Sequence, residues 1–425
     1  MSKLSKFRMD LTPLRKYPDF RSLWASGMVS NLGSMITYVA VPFQIKNLTH
    51  SYLAVALSAA VEIIPLVIFG LYGGVLADSV DRKKMIWAAE AGAMALSATL
   101  FINSQLAHPS LLLIYIVAAA FAAVDGLQRP SMDAILPRLV GHDDLPSASA
   151  LLSLRMQMAI IVGPAIGGII ISTFSVGTGY AVDVTSFLVS LIFLSRVKNV
   201  PPHESAEKPS LAGLWLGIRY AFGRQDLLGT YLVDLAAMFF AMPNALFPFW
   251  VDQLHAPWAL GLLYGAGTVG AFFVTITSGW VKHYRFHGRA IALAAVGWGI
   301  AITLSGLVHS IYLVIFCLAL AGAADHVSVL FRAAIWNQTI PDEIRGRLAG
   351  IQLLSYSVGP LAGQLRAATM ASATTLAISV TSGGVMCIIV VLLLTSWLVK
   401  FRKYDVESNE FAIAQRKIRA ERENI

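Results

Sequence analysis

The sequence predicts an all-α membrane protein built from about twelve transmembrane helices, and three observations predict it. Of 425 residues, 56% are hydrophobic and only 13% carry charge, with a mean hydropathy of +0.67. One soluble core cannot hide that much apolar surface, so lipid must act as part of the solvent. The apolar residues also fall into runs of about 20, the length a helix needs to cross the hydrocarbon layer. Finally, the basic residues gather in alternate connections, as they do where loops stay in the cytoplasm.

The expected spans are 20–46, 52–77, 85–105, 109–137, 146–173 and 178–195, followed by 226–250, 257–281, 289–308, 311–337, 346–370 and 374–400. Between the two sets, the run Pro201, Pro202, His203, Glu204 breaks the hydrophobic pattern, and Ser210 to Phe222 resumes it at helical spacing with Trp215, Tyr220 and Arg219. That segment reads as a linker carrying an interfacial helix. The organisation is therefore a cytoplasmic segment 1–19, a six-helix bundle 20–195, a linker 196–225, a second bundle 226–400 and a charged tail 401–425. The tail is expected to form a cytoplasmic helix or to stay disordered.

Most of the 32 Lys and Arg fall in inner loops, tails or inner helix ends. Lys46 and Arg366 lie near outer ends, and Arg129, Arg155 and Arg332 lie inside spans. The positive-inside rule then places both termini in the cytoplasm of a bacterial cell. Because of this distribution, the net charge of +8 points to membrane lipids and not to nucleic acid. Cys317 and Cys387 both sit in apolar helices, which implies neither a disulfide nor a metal site. The basic, polar start from Met1 to Asp19 does not read as a cleaved signal peptide. No phosphate loop, zinc spacing or nucleophile elbow is present, so neither an enzyme nor a cofactor is expected, and energy would come from an ion gradient.

Ionisable side chains inside a bilayer cost about 2.5–3.5 kcal/mol each on insertion scales, so those present need a partner, a wet cavity or a task. Glu62 lies near the middle of the second span with no basic neighbour one turn away, which suits reversible protonation; the plainer reading is a neutral Glu bonded to an adjacent helix. Asp234 in the seventh span is a second candidate, or simply the partner of a basic loop residue. Asp183 reads as wetted near the outer end of the sixth span. Asp125, Arg129 and Asp133 share one face of the fourth span, either neutralising one another or forming a titratable relay. Asp325, His326 and Arg332 form the corresponding group in the tenth. Arg155 in the fifth span could meet Asp125 or an anionic substrate.

Two motifs recur in both halves. Gly74, Val75, Leu76, Ala77, Asp78 lead through Ser79, Val80 and Asp81 to Arg82, Lys83 and Lys84. A weaker copy, from Gly279 through Lys282, His283 and Arg285 to Arg289, has lost the acid. Gly163, Pro164, Gly167 and Gly168 in the fifth span have a counterpart in Gly359, Pro360 and Gly363 in the eleventh. Proline removes a backbone hydrogen bond and the glycines allow close packing and bending. Internal repetition of this kind is the mark of a transporter.

The first motif resembles the signature loop of the major facilitator superfamily, with Ser79 and Asp81 in place of its usual Arg and Gly. The second resembles the fifth-helix motif of that superfamily's drug/proton antiporters, with Ala159 where its first glycine would be. Together with Ala40, Pro42, Gln44 and Thr49 to Ser51, these segments resemble the enterobactin exporter and macrolide efflux branch. The resemblance implies two pseudo-symmetric six-helix bundles that export a small amphiphilic molecule, siderophore or drug-like, by alternating access with protons moving inward. Gly74, Asp78, Arg82 and Lys83 would form a gate latch, with the basic pair on helix ends or lipid headgroups. Gln44, Glu62, Arg155, Asp234 and Gln352 would line the substrate cavity, and Glu62, Asp125, Asp234 and Asp325 would couple to protons. A monomer is expected. Uptake by the same fold is the alternative, and a non-transporting scaffold a remoter one.

Overall fold

The computed structural model describes residues 10–201, 219–220 and 222–423. The sequence's apolar runs become long helices because backbone groups in lipid can find partners only within their own segment or a closed sheet. No strand occurs among the described residues.

After a short helix at Thr12–Lys16, the first six long helices are α1 (Pro18–Thr49), α2 (Tyr52–Ser79), α3 (Arg82–Gln105), α4 (Leu111–Leu139), α5 (Leu145–Thr173) and α6 (Val176–Ser195). Local sequence sets their ends. Pro18 opens α1, where its missing N–H costs nothing, and His50 closes it in the left-handed region at φ 50°. Ser110 and Ser175 cap α4 and α6 by accepting the N–H groups of Leu113 and Thr178.

The second series is α7 (Gln225–Phe240), α8 (Phe247–Gln253), α9 (Leu260–Thr277), α10 (His287–Leu307), α11 (Ile311–Thr339), α12 (Asp342–Ala373) and α13 (Leu376–Trp397). Here one expectation is corrected. The span 226–250 is not continuous: α7 stops at Phe240, and a 3-10 turn at Asn244–Leu246 precedes α8. Pro243 has no N–H to continue the ladder. The tail resolves its alternatives as a helix, α14 (Glu410–Glu423), packed on α11. Most of the expected interfacial helix lies outside the described residues.

Among the described residues, ten stretches, each one helix or a run of adjoining helical segments, are long and apolar enough to cross a membrane. The remaining long helices, α1 and α12, have 32 residues each but carry more polar side chains. Large apolar residues such as Ile64, Leu112, Leu293, Tyr312 and Leu393 are more than half exposed, as expected where lipid covers the surface. The interior is mostly apolar too, and polar side chains such as Ser30, Gln44, Glu90 and Asp183 are buried among it.

The chain divides into two compact units, Met1–His50 with Val61–Pro209 and Ser51–Ala60 with Ser210–Ile425. The cut departs from the expected bundle limits only at the start of α2, where Tyr52 packs its ring 4.2 Å from that of Phe249. The repeat is visible in the packing of each unit. In the first, Gly163 and Gly167 of α5 face Leu32, Met35 and Ile36 of α1; in the second, Gly359 and Gly363 of α12 face Leu235, Met238 and Met242, from α7 and its break.

Candidate functional site

Among the described residues, the first unit holds two deeply buried carboxyl groups, Asp183 and Glu90, and neither has a cation in ion-pair contact. Asp183 on α6 is fully buried. It accepts hydrogen bonds from Thr37 (2.6 Å) and Ser97 (2.5 Å) on one oxygen, while its other oxygen has only Ser186 at 3.4 Å. Gly33 lets α1 come this close, since a Cβ there would strike Asp183 and Ser186. The reading of Asp183 as a wetted outer residue is therefore corrected: donors from α1 and α3 enclose it. Glu90 on α3 is 6% exposed and accepts from Ser190 (2.6 Å), Gln128 (3.0 Å) and Ser30 (3.3 Å). The sequence reading passed over Glu90, although a carboxylate flanked by Ala and Gly inside an apolar run was the available signal.

Arg155, on α5, is 5% exposed, and its guanidinium packs on Gly27 and donates to the Leu23 carbonyl at 3.4 Å. Its charge acts on Glu90, whereas Asp125 pairs at 2.8 Å with Arg129 on its own helix. That i,i+4 pair matches the mutual neutralisation the spacing allowed, and the side chain of Asp133 is outside the described residues. Glu62 on α2 has no hydrogen-bond or ion-pair partner among the described residues, and the charge acting on it is that of Asp125. Gln44 is 6% exposed and accepts from Tyr180 at 2.7 Å. Beside it, Asn47, Ser104, Gln105 and Gly177 line a cleft of about 300 Å³ at the Thr49 end of α1.

The second unit handles its acids differently. Asp234 on α7 pairs with Arg332 on α11, both buried, and Asp325 stands 3.7 Å from the same guanidinium. The partner seen for Asp234 is thus a residue deep in another helix. One turn along, Trp336 donates to Thr230 at 2.9 Å, a second rung between the same helices. His326 contacts Thr275 of α9 at 2.8 Å. Arg366 on α12 reaches the break after α7, donating to the Phe240 carbonyl at 2.5 Å and to Ser379 at 3.3 Å. Gln352 lies within α12, its side chain outside the described residues.

The two signature loops also differ. In the first, Asp81 caps α3 by accepting the N–H of Lys84, and Arg82 is buried, donating to the Ala134 carbonyl at the end of α4. Close approach of α2 to α4 is made by Gly73 against Gly126 and Leu127; the side chains at Gly74 and Asp78 are outside the described residues. In the second loop, Arg285 lies 2.7 Å from both Asp405 and Glu407, so acids from the tail meet the base that the loop's own lost acid leaves behind. The Arg285 hydrogen bonds hold the Asp405 carboxyl below the usual carboxylate range.

Two repeated helical units with acids and arginines buried among lipid-facing helices define a membrane transport protein. A family model described as "transmembrane secretion effector" matches residues 9–422. The chain belongs to that family, within the major facilitator superfamily. The enterobactin exporter EntS of Shigella boydii serotype 18 is 28% identical over 93% of this chain and 95% of its own length, and EntS of Escherichia coli is equally similar. Solved structures agree on the fold. A POT family transporter in complex with 5-aminolevulinic acid superimposes with a TM-score of 0.72 at 12% identity, over 91% of this chain and 97% of its own. A bacterial homologue of ferroportin in the inward-facing state gives 0.68 at 15% identity, over 90% and 98%. The chain is thus a multi-pass membrane transporter of a small molecule, in a class of proteins that are not enzymes.

Proposed function

We propose that the protein exports a small amphiphilic molecule, of the siderophore or drug-like class, by alternating access in exchange for protons. It would work as a monomer in the bacterial cytoplasmic membrane, with both termini in the cytoplasm and its basic loops against lipid headgroups. Similarity to enterobactin exporters supports the outward direction. The observation that carries the coupling is Glu62, a carboxyl group on an apolar helix with no hydrogen-bond or ion-pair partner among the described residues. A group left in that state gains most from taking and releasing a proton.

In this reading Glu62, with Asp125 acting on it, serves the first unit, and Asp325, the second acid beside Arg332, serves the second. Asp234 holds Arg332 in place. Gln352 remains a candidate for contact with substrate, Asp78 with Lys83 for the gate, and the Gly163, Pro164, Gly167, Gly168 motif for helix bending. Gln44, which borders the cleft beside Asn47 and Gln105, and Arg155 likewise remain candidates for lining the substrate cavity.

The test is accumulation of ethidium and of a catecholate siderophore in cells carrying the wild type or Glu62→Gln, with and without a protonophore. Lower accumulation in the wild type is expected, and it should vanish with the protonophore. Glu62→Gln should slow efflux by about tenfold or more, a barrier change of about 1.4 kcal/mol, at unchanged protein level. Higher accumulation in the wild type would mean uptake, and indifference to the protonophore would remove protons as the coupling ion.

A further inference from the structure

Each of the two buried acids of the first unit gathers its own cluster of hydroxyl groups. On α1, Ser26, Ser30 and Thr37 recur at helical spacing; on α6, Asp183, Ser186 and Ser190 do the same; on α3, Glu90 and Ser97 stand two turns apart. These nine-tenths-buried side chains lie along three packed helices and fall into two hydrogen-bonded groups. Ser26 and Ser190 share a hydrogen bond of 2.7 Å, Ser190 and Ser30 continue to Glu90, and Thr37 and Ser97 converge on Asp183. Charge on Glu90 in turn acts on Asp183.

Clusters that served only to hold three helices together would need no carboxyl groups, because serine and threonine hydroxyls both donate and accept. Carboxyl groups without an ion pair inside lipid are expensive and mark proton relays. The geometry leaves room for one proton at Asp183: one oxygen takes two short hydrogen bonds, and the other has only the 3.4 Å contact. An independent sign lies at the Glu90 end. Arg155 is 5% exposed, its charge faces Glu90, and its Nε has no hydrogen-bond partner among the described residues. The charged or titratable groups bearing on the pair are Arg155 from α5 and Tyr180 from α6; α1 presents only hydroxyls, and α4 presents the neutral Gln128.

We propose that Asp183 and Glu90 form a proton-binding site inside the first unit, apart from the residues that meet the solute. Both are too deeply buried for an organic solute to touch, yet hydroxyl groups on either side can pass a proton. Each carboxylate takes one proton to become a neutral acid and returns it to its own cluster, with no other bond changed. The proposal rests on the proton-exchange reading and adds a second place where protons reside.

The experiment is infrared spectroscopy of the full chain reconstituted in lipid, following the C=O band of protonated carboxyl groups as pH is stepped from about 5 to 9. The wild type should show components that appear and vanish reversibly. Asp183→Asn should remove one component and Glu90→Gln another. Ser97→Ala and Thr37→Val, which keep the acid but remove its donors, should displace the midpoint of the Asp183 component. Spectra of Asp183→Asn and Glu90→Gln that match the wild type at every pH, with unchanged thermal melting, would overturn the proposal, as would a midpoint indifferent to both donor variants. Ethidium movement in proteoliposomes under an imposed proton gradient separates the two ideas. Gradient-driven movement with no titrating Asp183 or Glu90 component sinks the site and keeps the exchange. Titrating components lost in the variants, without gradient-driven movement, keep the site and sink the exchange.

Discussion

The two units answer the same problem, a carboxyl group inside lipid, in opposite ways. In the first, Asp183 and Glu90 are wrapped in neutral donors. In the second, Asp234 is paired with the guanidinium of Arg332. An ion pair fixes the charge state of its members, whereas hydroxyls accept either state of the acid. The difference teaches that internal repetition has conserved the helix packing of the units while leaving their electrostatics free to diverge.

The comparison breaks most readily at Arg332. Replacing it with Met leaves Asp234 buried without this partner, and loss of about 3–5 kcal/mol is expected, read as a large fall in melting temperature in detergent. The double variant Arg332→Met with Asp234→Leu should recover most of it, since a packed apolar pair can replace a buried ion pair. A smaller effect is expected at Gly33, where a methyl group would meet Asp183 and Ser186. Gly33→Ala should cost about 1–3 kcal/mol by overpacking in the same melting assay, and an unchanged melting temperature would show that the packing around Asp183 is looser than described.

The smallest effect concerns the tail. Asp405 is held below its ordinary range by Arg285, so its contribution to docking is complete above the ordinary carboxylate value of about 3.9 and is lost as pH falls below it. Hydrogen exchange across residues 405–413 should therefore be unchanged from neutral pH to about pH 5 and accelerate, beyond the intrinsic pH effect, near pH 3. Asp405→Asn should show the acceleration already at neutral pH.

Much of the fold was legible because lipid demands long apolar helices, and the expected starts at 109, 178 and 374 fall within two residues of helices that Ser110, Ser175 and Thr375 cap. The break after Phe240 was not. Proline is tolerated within membrane helices when other groups satisfy the freed backbone, and here Arg366, 126 residues away, does so. The candidate acids at Glu62, Asp125 and Asp234 stood out as charges in apolar runs. The pairing of Asp125 with Arg129 was legible as well, but that of Asp234 with Arg332 was not, since the two meet only after the chain has crossed the membrane several times. Asp183 was misplaced for the same reason: its depth is set by Thr37 and Ser97, on helices that local spacing cannot see.

The tail has a practical meaning as well. Arg224 stacks on Phe411 at 3.6 Å while gripping Asp226 at the start of α7, and Arg285 holds Asp405 and Glu407. A dye or spin label placed on the exposed face of α14 would then be mounted on the second unit, not on a loose tether. Paired with a label on the first unit, it would test whether the separation of the labels changes when solute is added.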